Sequence, residues 1–161
     1  MQVEKLKELM EYNPLAGSIT LKSSGRLLLP AEDGYCLVAM QDGKKKKYKF
    51  SKLCYSLFHN IDMLKTCKVI HKDLDPWNFR ANNLVLLSTL QYKELKEALK
   101  NLQGGIRLQV HPTDVYSYKL FWYQSGVEKV KVVQDVVVAK RLEQRLLLKS
   151  SKILTKYCSV D

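Results

Sequence analysis

Residues 67–87 constrain the chain more than any other stretch: C-K-V-I-H-K-D-L-D-P-W-N-F-R-A-N-N-L-V-L-L. A short β-type run, Lys68, Val69 and Ile70, delivers His71 at its end. A polar loop follows, with Asp73, Asp75, Pro76 and Asn78, the residue types that punctuate turns. Asn82 and Asn83 open a second apolar run, 84–87. Ser88 precedes a strongly helical segment, 91–102. The expected order is strand, histidine, loop, asparagine, strand, helix.

The pattern before this stretch predicts small elements. Val3, Leu6, Leu9 and Met10 recur at helical spacing, giving an amphipathic helix over 2–11 that Asn13-Pro14 ends. Residues 18–22 read as a strand and 23–34 as a loop, with an apolar patch at Leu27 to Leu29 that has no evident place. Asp42-Gly43 between residues 35–41 and 44–50 is a hairpin signal. Ser51 is positioned to cap a helix over 52–59 whose Leu53, Leu57 and Phe58 face the core. In the helix over 90–102, Leu90, Leu95, Ala98, Leu99 and Leu102 share one side. Gly104-Gly105 then breaks the chain, dividing it into 1–103 and 104–161.

After the glycines the pattern becomes three strands, 106–111, 116–124 and 127–133, with a tight turn at Ser125-Gly126. Alternation puts Lys129 and Lys131 on one face of the third strand and Val130 and Val132 on the other, beneath a covering helix. Asp135 can cap that helix. Ala139, Leu142, Leu146 and Ile153 form its apolar stripe, although Val136 to Val138 are poor helix formers.

Charge bounds the function. The 161 residues include 27 Lys+Arg against 16 Asp+Glu, a formal charge of +11, and 46% are hydrophobic. Such a chain can bury a core, and its excess charge favours a polyanion, most simply nucleic acid. Lys44, Lys45, Lys46 and Lys47, on a predicted hairpin, are candidate phosphate contacts, or else a solvated tip. Cys36, Cys54, Cys67 and Cys158 show no C-x-x-C spacing, hence no zinc-knuckle signal. They read as core thiols of an intracellular, reducing compartment. The N-terminus has no apolar signal-peptide core, and no run approaches about 18 apolar residues, so no membrane partner is expected.

The stretch around His71 resembles the HNH homing endonucleases of phages and mobile introns. Their pattern reads V-D-H, a polar loop, D-P, N-R, E-N-L, an apolar trio and a helix opened by S-E-N. Val69, His71, Asp75-Pro76, Arg80, Asn83-Leu84 and Ser88 fall in register. Upstream, Tyr12-Asn13-Pro14-Leu15-Ala16-Gly17-Ser18-Ile19-Thr20-Leu21-Lys22 parallels Y-D-P-E-T-G-x-x-T-W-K, and Gly34-Tyr35 and Asp42-Gly43-Lys44 parallel G-Y and D-G-K. The resemblance covers roughly residues 2–102. It implies a ββα-metal module with His71 as the general-base remnant and Asn83 as its support. It also implies a lost metal site. The family's metal-holding Asp is Ile70 here, and its Asn falls near Tyr92. Phe79 replaces the Asn of N-R, and Ser51 stands where a histidine is usual.

Residues 105–149 are similar to the DNA-binding domain of the Apetala-type plant transcription factors, three strands and a helix. Gly105-Ile106-Arg107 sits where that family has G-V-R, and Trp122 lies on the second strand. That likeness implies nucleic-acid contacts by Arg107, Gln109, Tyr118, Lys119, Trp122, Lys129 and Lys131, joined by Arg80 and the 44–47 lysines. The expected fold class is therefore α+β: an HNH-like module followed by a three-stranded antiparallel sheet with a helix. The expected function is binding of DNA, or of structured RNA within a ribonucleoprotein, without nuclease activity and without a metal cofactor. The alternative is an active, Mg-dependent nicking endonuclease in which Asp73, Asp75 or Asn78 restore a metal site. A protein–protein inhibitor on the same scaffold would leave no trace in the sequence.

Overall fold

The computed structural model describes residues 3–62, 66–111 and 113–158, excluding the side chains of 114–116. Gln2 and residues 159–161, included in the expected boundaries above, lie outside the described residues. The fold is mixed helix and sheet, as expected. The chain divides into two compact units, one running to Thr89 and the other beginning at Leu90.

In the first unit, α1 (Val3–Leu9) buries Val3 and Leu6. It stops two residues short of the expected end because β1 (Met10–Asn13) pairs antiparallel with β2 (Ser18–Leu21), Met10 opposite Leu21. Backbone pairing across a short connection outweighs a helical pattern of two turns. The unplaced apolar patch supplies β3 (Leu27–Leu28), which pairs with the other edge of β2.

The Asp-Gly hairpin forms as expected from β4 (Tyr35–Ala39) and β5 (Lys45–Lys49). Gly43 adopts a φ of +73°, and the Asp42 carboxylate accepts the Lys44 N–H at 3.1 Å. Helix α2 (Phe50–His59) starts two residues earlier than expected, and Lys49, not Ser51, occupies its N-cap. Ser51 is buried instead, its hydroxyl without a hydrogen-bond partner. Phe50, Leu53, Cys54 and Leu57 form the buried stripe at helical spacing. Phe58 lies off that stripe and is 49% exposed, not a core residue. Strands β6 (Lys68–His71) and β7 (Leu84–Leu87) pair antiparallel, and α2 packs on both.

In the second unit, α3 (Thr89–Lys100) leads through a bend at 101–105 into a sheet of β8 (Arg107–His111), β9 (Asp114–Gln124) and β10 (Val127–Val133), with β9 central. Asp135 caps α4 (Val136–Cys158), accepting the Val137 N–H at 2.7 Å, so the valine-rich start is helical. Leu90, expected on the core side of α3, is 77% exposed; Leu95 and Ala98 are the buried positions.

The expected break at Gly104-Gly105 thus falls inside the second unit. The reason is local. Buried Asn101, at the end of α3, grips the backbone of Tyr123: its Oδ1 accepts the Tyr123 N–H at 2.8 Å and its Nδ2 donates to the Tyr123 carbonyl at 3.1 Å. Glu97 accepts the Gly126 N–H at 2.8 Å, and Glu94 accepts from the Tyr157 hydroxyl at 3.2 Å. These bonds attach α3 to the sheet and to α4.

Candidate functional site

Strand pairing sets His71 opposite Leu84, and Ile70 opposite Val85, at the mouth of the β6–β7 hairpin. The loop between them, 72–83, is closed by its own side chains. A single turn of 3-10 helix, Ala81–Asn83, delivers the buried Asn83. Its Oδ1 accepts the Asp73 N–H at 3.1 Å. Its Nδ2 donates to Asp73 Oδ1 at 2.9 Å and to the Asn78 carbonyl at 2.8 Å. Asp73 Oδ1 also accepts the Asp75 N–H at 2.9 Å, while Asp73 Oδ2 accepts from Asn78 Nδ2 at 2.7 Å. Asp75 in turn accepts the Trp77 N–H at 3.0 Å.

The turn between β1 and β2 holds the far side of this loop. Tyr12 donates its hydroxyl to the Phe79 carbonyl at 2.6 Å, and the Ala81 N–H donates to the Pro14 carbonyl at 3.0 Å. Gly17, at φ +68°, approaches the Phe79–Arg80 peptide so closely that a Cβ there would lie 2.6 Å from the Phe79 carbonyl carbon. Phe79 is buried, edge-on to Phe50 at 4.7 Å and to the His71 ring at 5.3 Å. The position where the resembled family carries a polar Asn is therefore a core aromatic.

His71 is half-buried. Its Nε2 is shielded from water and has no hydrogen-bond partner. Burial drives its pKa below the ordinary 6.5; Lys49 adds to the shift, and Asp73 and Asp75 oppose it. The imidazole is consequently neutral at pH 7, but its sealed nitrogen cannot take a proton from a water without local opening. For Asp73, desolvation raises the pKa, yet the hydrogen bonds from Asn78, Asn83 and the Asp75 N–H outweigh it, and the carboxyl stays below its usual range.

A divalent metal of the kind the resembled nucleases hold does not fit these residues. Mg²⁺ needs hard oxygens in a near-octahedral array. Ile70 offers none, and both Asp73 oxygens already accept hydrogen bonds within the loop. Tyr92 belongs to the second unit. Among the described residues, no three His, Cys, Asp or Glu side chains cluster as a metal would need.

The half-buried imidazole makes stability depend on pH. Because the folded pKa of His71 lies below 6.5, the unfolded chain takes up a proton first as pH falls. This group's contribution is present above pH 6.5 and is lost as pH drops through that value toward the folded pKa. Denaturant titrations from pH 8 to 5 should show the parent losing stability relative to a His71→Phe variant, with a differential slope of at most about 1.4 kcal/mol per pH unit. Parallel curves would show that the imidazole is not desolvated.

The candidate nucleic-acid contacts fall into separate places. Lys44, Lys45, Lys46 and Lys47 are all exposed on the β4–β5 hairpin. Lys47 is committed, pairing with Asp33 at 2.7 Å and standing 4.8 Å from the Tyr35 ring centre. Arg80 is exposed within the 72–83 loop.

In the second unit, the expected single binding face does not exist. Opposed residues of an antiparallel pair share a face. Arg107, Phe121 and Val130 therefore form one row, and Gln109, Lys119 and Val132 another, on the same side. Lys129 lies opposite Trp122, and Lys131 opposite Leu120, on the other side together with Tyr118. Leu120 is 1% exposed, so this second side is the covered one. Lys129 and Lys131 nevertheless reach water because β10 is an edge strand. Val130 and Val132, expected beneath a helix, are 55% and 52% exposed. Their replacement should not open a cavity. Arg107 pairs with Glu128 at 2.5 Å, its guanidinium 5.0 Å from the Phe121 ring centre.

Comparison with protein-family models, curated proteins and solved structures finds no match.

One cluster near His71 escaped the sequence reading. Lys49 and Lys52 flank the start of α2, and Lys68 opens β6, on which α2 packs. Burial lowers the pKa of Lys49 and of Lys52, and the nearby Lys68 charge lowers both further. Only the tertiary fold brings Lys68 to the other two; no spacing in the sequence does.

Proposed function

We propose that this chain is a nucleic-acid-binding protein built on an HNH-like scaffold that has given up cleavage, followed by an Apetala-like sheet that contributes contacts. The observation carrying the binding half is charge. The ion pairs seen among the described residues, Lys47 with Asp33 and Arg107 with Glu128, each join one base to one acid and so leave the +11 excess undiminished. A phosphate backbone neutralises such an excess and releases its own counterions. The open side of the sheet, with Gln109 and Lys119 beside Arg107, Phe121 and Tyr123, carries both donors and rings for that purpose. The non-catalytic half is supported by Asp73, whose Oδ1 is held by Asn83 and whose Oδ2 is held by Asn78.

Fluorescence anisotropy on double-stranded DNA and on structured RNA should give affinity that falls steeply from about 50 to 200 mM salt. Supercoiled plasmid with Mg²⁺ or Mn²⁺ should remain intact. Nicking that disappears in a His71→Ala variant would establish the endonuclease reading in place of this one. Failure to bind either nucleic acid at the lowest salt would end the binding proposal.

A further inference from the structure

Helix α4 has a second face that its apolar stripe does not explain. Arg141, Arg145, Lys149, Lys152 and Lys156 recur at intervals of four, four, three and four residues. At about 100° per residue they fall within an arc of roughly 80°, and at about 1.5 Å rise they extend roughly 22 Å. All five are exposed. With Lys140 and against Glu143 alone, α4 carries a net +5 of the chain's +11. Glu143 lies off the ridge. Like charges at i,i+4 destabilise a helix, and a merely solvated face intersperses acids to relieve them. No acid of α4 lies on the ridge, and the one carboxylate that borders Arg145, Lys149, Lys152 and Lys156 among the described residues is Glu94 of α3, which also accepts from the Tyr157 hydroxyl. None of the five takes part in an ion pair among the described residues; Lys156 sits 4.8 Å from the Tyr157 ring centre.

We propose that the Arg141–Arg145–Lys149–Lys152 ridge of α4 is a phosphate-backbone-binding surface for nucleic acid. This rests on the nucleic-acid reading above and assigns it a surface that the sheet does not include. From Arg141 to Lys152 the ridge runs roughly 16 Å, long enough to follow a few successive phosphates of one duplex strand. Two arginines supply planar forks that match phosphate oxygens, and two lysines supply compact charges. Such contacts fix position without reading sequence. A membrane surface fits less well. A helix lying on lipid must present a continuous apolar face, whereas Ala139 and Tyr157 of α4 are buried in its own unit and Leu148 stands exposed beside the ridge as a single large apolar side chain.

The test compares three full-length proteins. One carries Arg141→Gln, Arg145→Gln, Lys149→Gln and Lys152→Gln. The second loses the same charge elsewhere, by Lys5→Gln, Lys7→Gln, Lys22→Gln and Arg26→Gln. The third is the parent. Circular dichroism and thermal unfolding confirm the fold; should the quadruple ridge variant unfold, Arg145→Gln with Lys149→Gln replaces it. Anisotropy on a labelled duplex of about 25 base pairs is read from about 50 to 200 mM salt, beside sedimentation with phosphatidylserine vesicles. The ridge variant should bind at least about tenfold more weakly than the parent at about 100 mM, with its salt slope smaller by roughly three to four, about 0.9 for each of the four lost contacts. The control variant should follow the parent. Identical curves for ridge variant and parent would overturn the ridge and leave nucleic-acid binding standing. Equal losses in both variants would reduce the effect to net charge and also overturn it. A parent that sediments with vesicles but ignores the duplex would remove this inference and the underlying reading together.

Discussion

Replacing Gly17 by alanine should destabilise the first unit by about 2–5 kcal/mol. Two costs combine. At φ +68° an L side chain is strained, by about 1–2 kcal/mol. The new Cβ would also sit 2.6 Å from the Phe79 carbonyl carbon and 2.7 Å from the Arg80 nitrogen. Those are backbone atoms, so no rotamer change relieves the overlap, and the loop carrying His71 must move away from the β1–β2 turn. Gly43 provides the comparison: its φ is +73°, but nothing lies within 4 Å of its missing Cβ. Gly43→Ala should therefore show the conformational cost alone. Urea midpoints of the two variants separate the terms, and a Gly17→Ala protein no weaker than Gly43→Ala would refute the close approach.

Asn83→Asp should destabilise the same unit. The substitution keeps shape and replaces a donor by an acceptor. The new oxygen would face Asp73 Oδ1 and the Asn78 carbonyl at the places where Nδ2 now donates, 2.9 and 2.8 Å away. Two hydrogen bonds become two repulsions in a buried position, for a cost of roughly 3–5 kcal/mol at pH 7. Asn83→Ala, which loses bonds without adding charge, should cost about 2–3 kcal/mol. The aspartate variant should also reverse the ordinary acid response. Two facing carboxyls can share a proton in the folded state, which raises their folded pKa above the unfolded value. Stability should then increase as pH falls through the folded pKa, while Asn83→Ala gains nothing from that source. Denaturation at pH 7 and at about pH 4.5 distinguishes the two. An aspartate variant that fails to recover at low pH would mean the Asp73–Asn83 contact is not what closes the loop.

Much of the fold is readable in the residues alone. Asp42-Gly43 and Ser125-Gly126 announce two hairpins, and both form, because so few residue pairs tolerate such turns. The β6–loop–β7 geometry around His71 follows from an apolar run meeting a cluster of turn-forming side chains. The interior of the loop is not readable. That Asp73 is consumed by Asn78 and Asn83 depends on side-chain directions no pattern encodes.

The sheet faces mislead for a different reason. Alternation along β10 separates lysines from valines but says nothing of which side is covered. The two-residue turn pairs Gln124 with Val127, and that register carries Lys131 to buried Leu120. Because an edge strand exposes both of its sides, valine is a poor guide to the interior. The ridge on α4 is the opposite case. Its spacing lies in plain view in the sequence, but a polar face beside an apolar stripe is ordinary for a surface helix, so only the lack of an acid of α4 on that face sets it apart.

The grip of Asn101 on Tyr123 has a consequence for how such a chain is inherited. A cassette cut at Gly104 would carry away the sheet and α4 but leave behind Glu94, Glu97 and Asn101, stripping the Tyr123 backbone and the Gly126 N–H of their partners. A break that moves the sheet intact between genes must fall at the start of α3, near Thr89. The glycine pair that looks like a seam is a fold within the heritable piece, and shuffling that respects the packing would carry α3 with the sheet.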